Sequence, residues 1–471
     1  MLVNTHFILN DHEVITDAHP GLLVLDFIRQ KEKLMGTKEG CREGDCGACT
    51  VIIGELINEK VSYKPITSCL MPIGELHGKH LVTIEGLNLD KLSPVQEAIV
   101  EEGATQCGFC TPGIVVSLTA VLMGENSSIS QYSVMRALSG HLCRCTGYRS
   151  LKACESHLQE SIGKKIDFDS LIEKGFLPNY FKNIFDRLKK IPPLISPDGL
   201  AKEYFIAGGT DIYIQEGEKL PESSVSILNL HPEMKGISKN NGHIHVGALT
   251  TFEEFAFHPY IKEIIPQIDD YMFLNASWQI RNRATLGGNI INASPIGDMT
   301  ILLLAMDTQL VLQNGSGSRI VPLTSFYNGY KQMDKTDSEI LTEILIPNSA
   351  TESKIHFEKV SKRKCLDIAS VNMAMSVTGQ KGFIEDISLA IGGIAPIPLY
   401  MKESCSMLKG QAVSKNLVEK AATLIQQEIS PITDVRGSME YKRLLAHQLV
   451  IKSFITLFPE SLSAEEFYEK H

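Results

Sequence analysis

Hydrophobic positions along the chain change period several times, and each change marks an element. Near the start, Val3, Phe7 and Leu9 alternate with polar residues, the two-residue period of a half-buried strand. Strands are expected over 3–9, 12–16, 50–54 and 81–84. Leu22, Leu25, Phe27 and Ile28 give an apolar helical face over 22–31. Residues 1–90 therefore read as a small β-rich domain with a glycine-rich loop from Gly36 to Cys49.

Helical signals then take over. Ser93-Pro94-Val95-Gln96 combines a serine cap, a proline at the first helical position and a capping-box glutamine. Thr111-Pro112 repeats the cap-plus-proline signal ahead of an apolar run from Ile114 to Met123. Ser130 can cap a third helix ending near Ser139-Gly140, and a fourth fits about 149–162. Four short helices with short loops predict a compact bundle over 91–162. Residues 163–200 mix charge with Pro178, Pro192, Pro193 and Pro197 and read as a linker. From 201 to 377 the pattern is mixed α/β, with glycine turns at 208–209 and 287–288 and a strand-like stretch from Val371 to Val377. A last unit, 378–471, has more strand pattern to about 394, then helical pattern at 415–428 and 438–457.

Composition narrows the class. Hydrophobic residues at 43% and charged residues at 21% exclude a mainly disordered chain. A net charge of -10 without a basic run argues against a nucleic-acid partner. The longest apolar run, Ile301 to Met306, falls far short of the roughly 20 residues a membrane span needs. The opening residues lack the basic-then-apolar order of a secretory signal. A cytoplasmic protein with no membrane partner is expected. Nine of the 11 cysteines lie between Cys41 and Cys154. In a reducing compartment such clustering points to metal or redox chemistry rather than disulfides.

Cys41, Cys46 and Cys49 have the spacing C-x4-C-x2-C, and Cys69 follows, the plant-type ferredoxin arrangement for a [2Fe–2S] cluster. Gly40, Gly44 and Gly47 let the loop turn and bring backbone N–H groups toward the sulfurs. A structural zinc site is the competing reading, but zinc loops usually supply cysteines in close pairs at both ends, and Cys69 stands alone. Cys107-Gly-Phe-Cys110 and Cys143-Arg-Cys145 form a second group. Alone it fits zinc or iron; beside a ferredoxin loop a second [2Fe–2S] centre is the better reading, with two helix starts facing its negative charge. Cys154, Cys365 and Cys405 are surplus and expected as small core residues.

Neither a Walker A lysine motif nor a Rossmann fingerprint occurs. Phe205-Ile-Ala-Gly-Gly-Thr-Asp211 instead runs an apolar strand into a turn of Ala207, Gly208, Gly209, Thr210 and Asp211, whose N–H groups can hold a diphosphate. A second turn lies in Thr285-Leu-Gly287-Gly288-Asn289, with Asp298 downstream. Taken singly, such glycine pairs are usually only turns.

The segments Gln106-Cys-Gly-Phe-Cys-Thr-Pro-Gly113 and Gly140-His-Leu-Cys-Arg-Cys-Thr-Gly-Tyr-Arg149, downstream of a ferredoxin loop, resemble the molybdenum hydroxylases, most closely the xanthine dehydrogenase family. The resemblance implies a multidomain α+β chain: a β-grasp ferredoxin-like domain, a four-helix [2Fe–2S] bundle, a two-part α+β FAD-binding domain and a C-terminal α/β cap domain. It implies FAD held by Ala207–Asp211 and Thr285–Asn289, with Asp298 contacting the flavin nucleotide and Leu274 and Asn275 near the flavin. There Asn275 is polar where the family often has an apolar or aromatic residue. Cys365-Leu-Asp-Ile-Ala369 resembles a segment near the isoalloxazine. Gln106 is implied to approach a pterin held by another domain or subunit.

The chain ends after the flavin unit, so no catalytic side chain is expected here. Molybdopterin and substrate hydroxylation are expected on a large partner subunit. The resemblance further implies a heterotetramer and NAD as acceptor. A stand-alone iron–sulfur flavoprotein reductase, and a subunit of an aldehyde or N-heterocycle hydroxylase, are the alternatives.

Overall fold

The computed structural model describes residues 4–124, 129–163, 166–194 and 203–467. They divide into two compact units, Met1–Leu230 with Ala276–Ala284, and His231–Asn275 with Thr285–His471. Expectations at Val3 and Pro197 lie outside the described residues.

The first unit begins with a five-stranded mixed sheet, β1 (Thr5–Leu9), β2 (His12–Thr16), β3 (Thr50–Ile57), β4 (Lys60–Thr67) and β5 (His80–Val82), in the order β2-β1-β5-β3-β4. β1 pairs antiparallel with β2 and parallel with β5. A short helix, α1 (Val24–Asp26), packs into this sheet, with Phe27 edge-on to Phe7 at 5.9 Å. The helix expected over 22–31 is shorter: α1 passes into a π-helical turn, Phe27–Lys31, in which the Glu32 N–H reaches back to the Phe27 carbonyl. The strand expected over 81–84 stops at Val82. The Asn10 side chain there accepts the Thr83 N–H at 2.9 Å, and a 3-10 turn, Ile84–Leu87, follows.

Four helices come next: α2 (Pro94–Glu101), α3 (Thr111–Leu122), α4 (Gln131–Leu138) and α5 (Arg149–Ile162). Ser93 forms the expected capping box with Gln96, and Ser130 caps α4. Ser93→Ala is expected to cost about 1 kcal/mol, read as faster amide exchange in the first turn of α2. Thr111 is not a cap. Cys110 is the N-cap residue of α3, and the Thr111 hydroxyl bonds to Thr105 at 2.7 Å. Cys154 is fully buried in the helical core and donates to the Ala98 carbonyl, as expected of a small packed thiol.

The stretch expected as a linker is built into the core over its described part. Phe168–Glu173 and Ile184–Leu188 are helical, and Phe176, Leu177, Phe181 and Ile184 are buried. Phe168 stacks on Tyr63, and the Tyr180 hydroxyl donates to the Gly86 carbonyl at 2.8 Å. Prolines and charges mask an aromatic face that only the folded sheet reveals.

The second unit holds a five-stranded antiparallel sheet in the order Gly317–Pro322, Gln309–Asn314, Ile340–Pro347, His243–Gly247, Ile237–Asn240. It also holds a four-stranded antiparallel meander of Lys354–Val360, Val371–Thr378, Asp386–Gly392 and Leu399–Tyr400, with helices Lys415–Glu428 and Met439–Leu457 sharing its core. Val371–Val377, expected to close the flavin domain, is an inner strand of this meander, in register with both neighbours. Its mainly apolar run, interrupted by Asn372 and Ser376, says strand but not which sheet. Cys405 is buried in this core, whereas Cys365 sits half-buried in the loop before Val371.

Candidate redox centres

In the loop between α1 and β3 the sulfurs and the backbone are interlaced. The Cys41 sulfur accepts N–H groups of Glu43 (3.3 Å) and Cys46 (3.4 Å), and the Cys46 sulfur accepts the Cys41 N–H at 3.4 Å. Gly44 and Gly47 have φ of +81° and +67°, the left-handed turns that fold N–H groups inward. A Cβ at Gly40 would stand 2.7 Å from the Cys46 sulfur, so glycine leaves the room that sulfur occupies.

The thiols gather two by two. Cys41 lies within hydrogen-bonding reach of Cys46, and Cys49 of Cys69. Donation from Cys46, and the backbone N–H groups, hold Cys41 down to about 5 against burial. Cys46, the donor, is raised in turn. The same trade lowers Cys49 and raises buried Cys69. Each pair thus holds one thiol toward thiolate, the form that ligates metal, and the other away from it.

The second group repeats this arrangement. Cys110 pairs with Cys143, and Cys107 with Cys145, bringing the start of α3 against the segment before α5 as expected. Burial pushes the Cys110 thiol up to about 12. Cys143 is lowered despite burial, because the Thr146 hydroxyl and N–H donate to it. The Phe109 N–H and then Cys145 lower exposed Cys107. Gln106 is exposed and donates to the Cys145 carbonyl at 3.3 Å. Among the described residues, no three His, Cys, Asp or Glu side chains gather as one metal ion requires. Four thiols gathered two by two are a donor set that suits a two-iron cluster.

The two cysteine loops touch. The Leu142 N–H donates to the Cys46 carbonyl at 3.1 Å. His141 is buried between them, with Nε2 2.7 Å from the Ser117 hydroxyl and no hydrogen-bond partner at Nδ1 among the described residues. Burial drives its pKa down to about 3, so the ring is neutral. A Cβ at Gly47 would lie 2.2 Å from the Gly140 carbonyl and 2.5 Å from His141 Nδ1. Gly47→Ala should therefore cost upwards of about 1 kcal/mol and lower the iron retained per purified chain.

The two glycine turns belong to different units, the first to Met1–Leu230 and the second to Thr285–His471. In the first, strand Tyr204–Ile206 pairs parallel with Val225–Ile227 and leads through Ala207–Asp211 into helix Ile212–Glu216. Gly209 has φ +79°, and its Cβ would meet the Leu70 carbonyl at 2.4 Å; a Cβ at Gly208 would meet the Arg283 carbonyl at 2.1 Å. In the second, Thr285 caps helix Leu286–Asn292 by accepting the Gly288 N–H at 3.0 Å. A Cβ at Gly287 would collide with Ala248. Asn289 Oδ1 accepts from the Thr300 N–H (3.0 Å) and hydroxyl (2.9 Å). Asp298 is held by Lys359 and Asn372, each at 2.6 Å, and so ties helix Asp298–Ala305 to the meander. Lys359 also donates to the Leu274 carbonyl at 3.0 Å. Lys359, Asn372, His141, Gln279 and Arg283 were not singled out from sequence, because buried polar partners leave no spacing signature.

Four family models match in series: a 2Fe-2S iron-sulfur cluster binding domain over residues 7–73 and a [2Fe-2S] binding domain over 83–154, then an FAD binding domain of molybdopterin dehydrogenases over 197–349 and a CO dehydrogenase flavoprotein C-terminal domain over 356–457. The chain thus carries two iron–sulfur domains and a flavoprotein module. It is 28% identical to xanthine dehydrogenase 1 of Arabidopsis thaliana over 94% of its length and to aldehyde oxidase 2 of Mus musculus over 96%, spanning 39% of each relative. A carbon monoxide dehydrogenase structure from Hydrogenophaga pseudoflava, lacking the Mo-pyranopterin moiety of the molybdenum cofactor, is 27% identical. It aligns with a TM-score of 0.51 over 55% of this chain and 90% of its own. No helix among the described residues is long and apolar enough to cross a membrane.

Proposed function

We propose that this chain is the iron–sulfur and flavin electron-transfer part of a molybdenum hydroxylase of xanthine dehydrogenase type. In this reading it works in the cytoplasm with a large molybdopterin-bearing partner, in a heterotetramer, and delivers electrons to NAD. The observation that carries the electron-transfer role is the two-by-two gathering of the eight cysteines of the two groups, which meet where the Leu142 N–H donates to the Cys46 carbonyl. The [2Fe–2S] clusters supply one-electron carriers, and FAD supplies the exchange between single electrons and hydride.

The protein's own part is to hold and tune. Cys41, Cys46, Cys49 and Cys69 ligate one cluster, with the Glu43 and Cys46 N–H groups stabilising thiolate charge. Cys107, Cys110, Cys143 and Cys145 ligate the other, with Thr146 in the same stabilising role. Ala207–Asp211 would offer backbone N–H groups to the diphosphate of FAD; the N–H groups of Leu286, Gly287, Gly288 and Asn289 are taken by Thr250, Ala248 and Thr285, and Asp298 braces the helix that follows the second loop. No side chain is asked to act as nucleophile or general base.

The xanthine assignment rests on the likeness to xanthine dehydrogenases aligned over nearly the whole chain. The carbon monoxide dehydrogenase and aldehyde oxidase likenesses support a second reading, the same electron-transfer role serving another substrate. Isolating the chain from its native extract separates the cases. Molybdenum should copurify, and the complex should reduce NAD with xanthine. Oxidation of an aldehyde, an N-heterocycle or carbon monoxide instead would move the substrate. A molybdenum-free chain with full activity would overturn the partner and leave a stand-alone reductase.

A further inference from the structure

We propose that Ala276–Ala284 is a positioning strap that sets the spacing of the two cysteine loops and the first glycine loop, with Gln279 the residue that holds the second cysteine loop. This rests on the two-cluster reading and goes beyond it.

The segment is an excursion. The chain on either side belongs to the second unit, yet these residues pack within the first. At its centre Gln279 is 0% exposed. Its amide donates to the Ser117 hydroxyl and the Ala137 carbonyl, each at 2.9 Å. With Ser117 accepting from Gln279, its own proton goes to His141 Nε2. His141 stands two residues before Cys143. The backbone leaves no slack, since a Cβ at Gly140 would lie 2.2 Å from Gln279 Oε1. The Gln279 amide thereby fixes the run from Gly140 to Cys143, and the Leu142 N–H, bonded to the Cys46 carbonyl, ties that run to the first loop.

Neighbouring strap residues reach the other two loops. The Ile280 side chain fills the space over Gly44, where a Cβ would stand 2.6 Å from Cδ1. The Arg283 carbonyl abuts Gly208, and its guanidinium is anchored on Glu75 at 2.9 Å, both groups nearly fully buried. One short segment therefore touches each loop through a residue with a specific partner. Electron transfer between buried centres falls steeply with separation, so a rigid strap sets its rate without touching either cluster.

The test uses the loaded chain. Gln279→Leu keeps the volume and removes the amide, and Ser117→Ala removes the relay to His141. Each variant is compared with wild type by low-temperature electron paramagnetic resonance of the reduced protein, alongside iron content and melting temperature. Iron should stay at about four per chain. The second cluster's g-values and the spin–spin splitting between clusters should shift in both variants, with the first cluster's g-values unchanged. Wild-type g-values and splitting in both variants, whatever their melting temperatures, would overturn the strap. A wild-type protein without two signals would instead remove the cluster reading, and the strap with it.

Discussion

Cys49→Ser is expected to extinguish one iron–sulfur signal and leave the other, with iron falling from about four to about two per chain. Cys49 is 2% exposed and pairs with Cys69 beneath the first loop, so no external ligand can take its place. Cys143→Ser should produce the complementary loss, because Cys143 pairs with Cys110 in the other domain. The two signals should disappear one per variant. If one substitution removed both, the eight cysteines would not divide into two independent centres. Zinc bound in their place would give neither signal, and each substitution would then release zinc.

Glu75→Gln is expected to destabilise the first unit by roughly 3 kcal/mol. Burial alone would raise the Glu75 pKa, but Arg283 and Lys79 pull it down to about 2. The amide leaves the Arg283 guanidinium, 3% exposed, without its counter-charge; Lys79 keeps Glu55. The sign follows from the direction of the shift. A carboxyl depressed in the folded state contributes stability that is fully present above its unfolded value near 4.5 and is lost as pH falls toward about 2. Wild type should lose this contribution across that window, whereas Glu75→Gln starts without it and shows a shallower acid slope. Equal slopes in acid unfolding titrations of the two proteins would show that the Glu75 pair adds nothing.

Legibility in the sequence followed the range of the interactions. Ser93 and Ser130 could be read as caps because capping is settled within four residues. The cysteine groups could be read because a cluster loop demands fixed spacings. Thr111 misled because its hydroxyl turns to Thr105, six residues back, instead of capping its helix. Longer separations left still less trace. The aromatic face of 168–184 shows only against Tyr63 of β4 and His80 of β5, and Val371–Thr378 looks like a strand for any sheet. Gln279 meets Ser117 across 162 positions. It stands six residues before Thr285 of the second glycine turn, with no local sign that its side chain serves a cysteine loop.

In the proposed arrangement two separate sets of four cysteines hold two separate clusters. Low-temperature electron paramagnetic resonance of the reduced, intact chain addresses it most directly. Two distinguishable [2Fe–2S] signals, each integrating to about one spin per chain, are the expected result. A single signal, or none from a chain containing stoichiometric zinc, would contradict it.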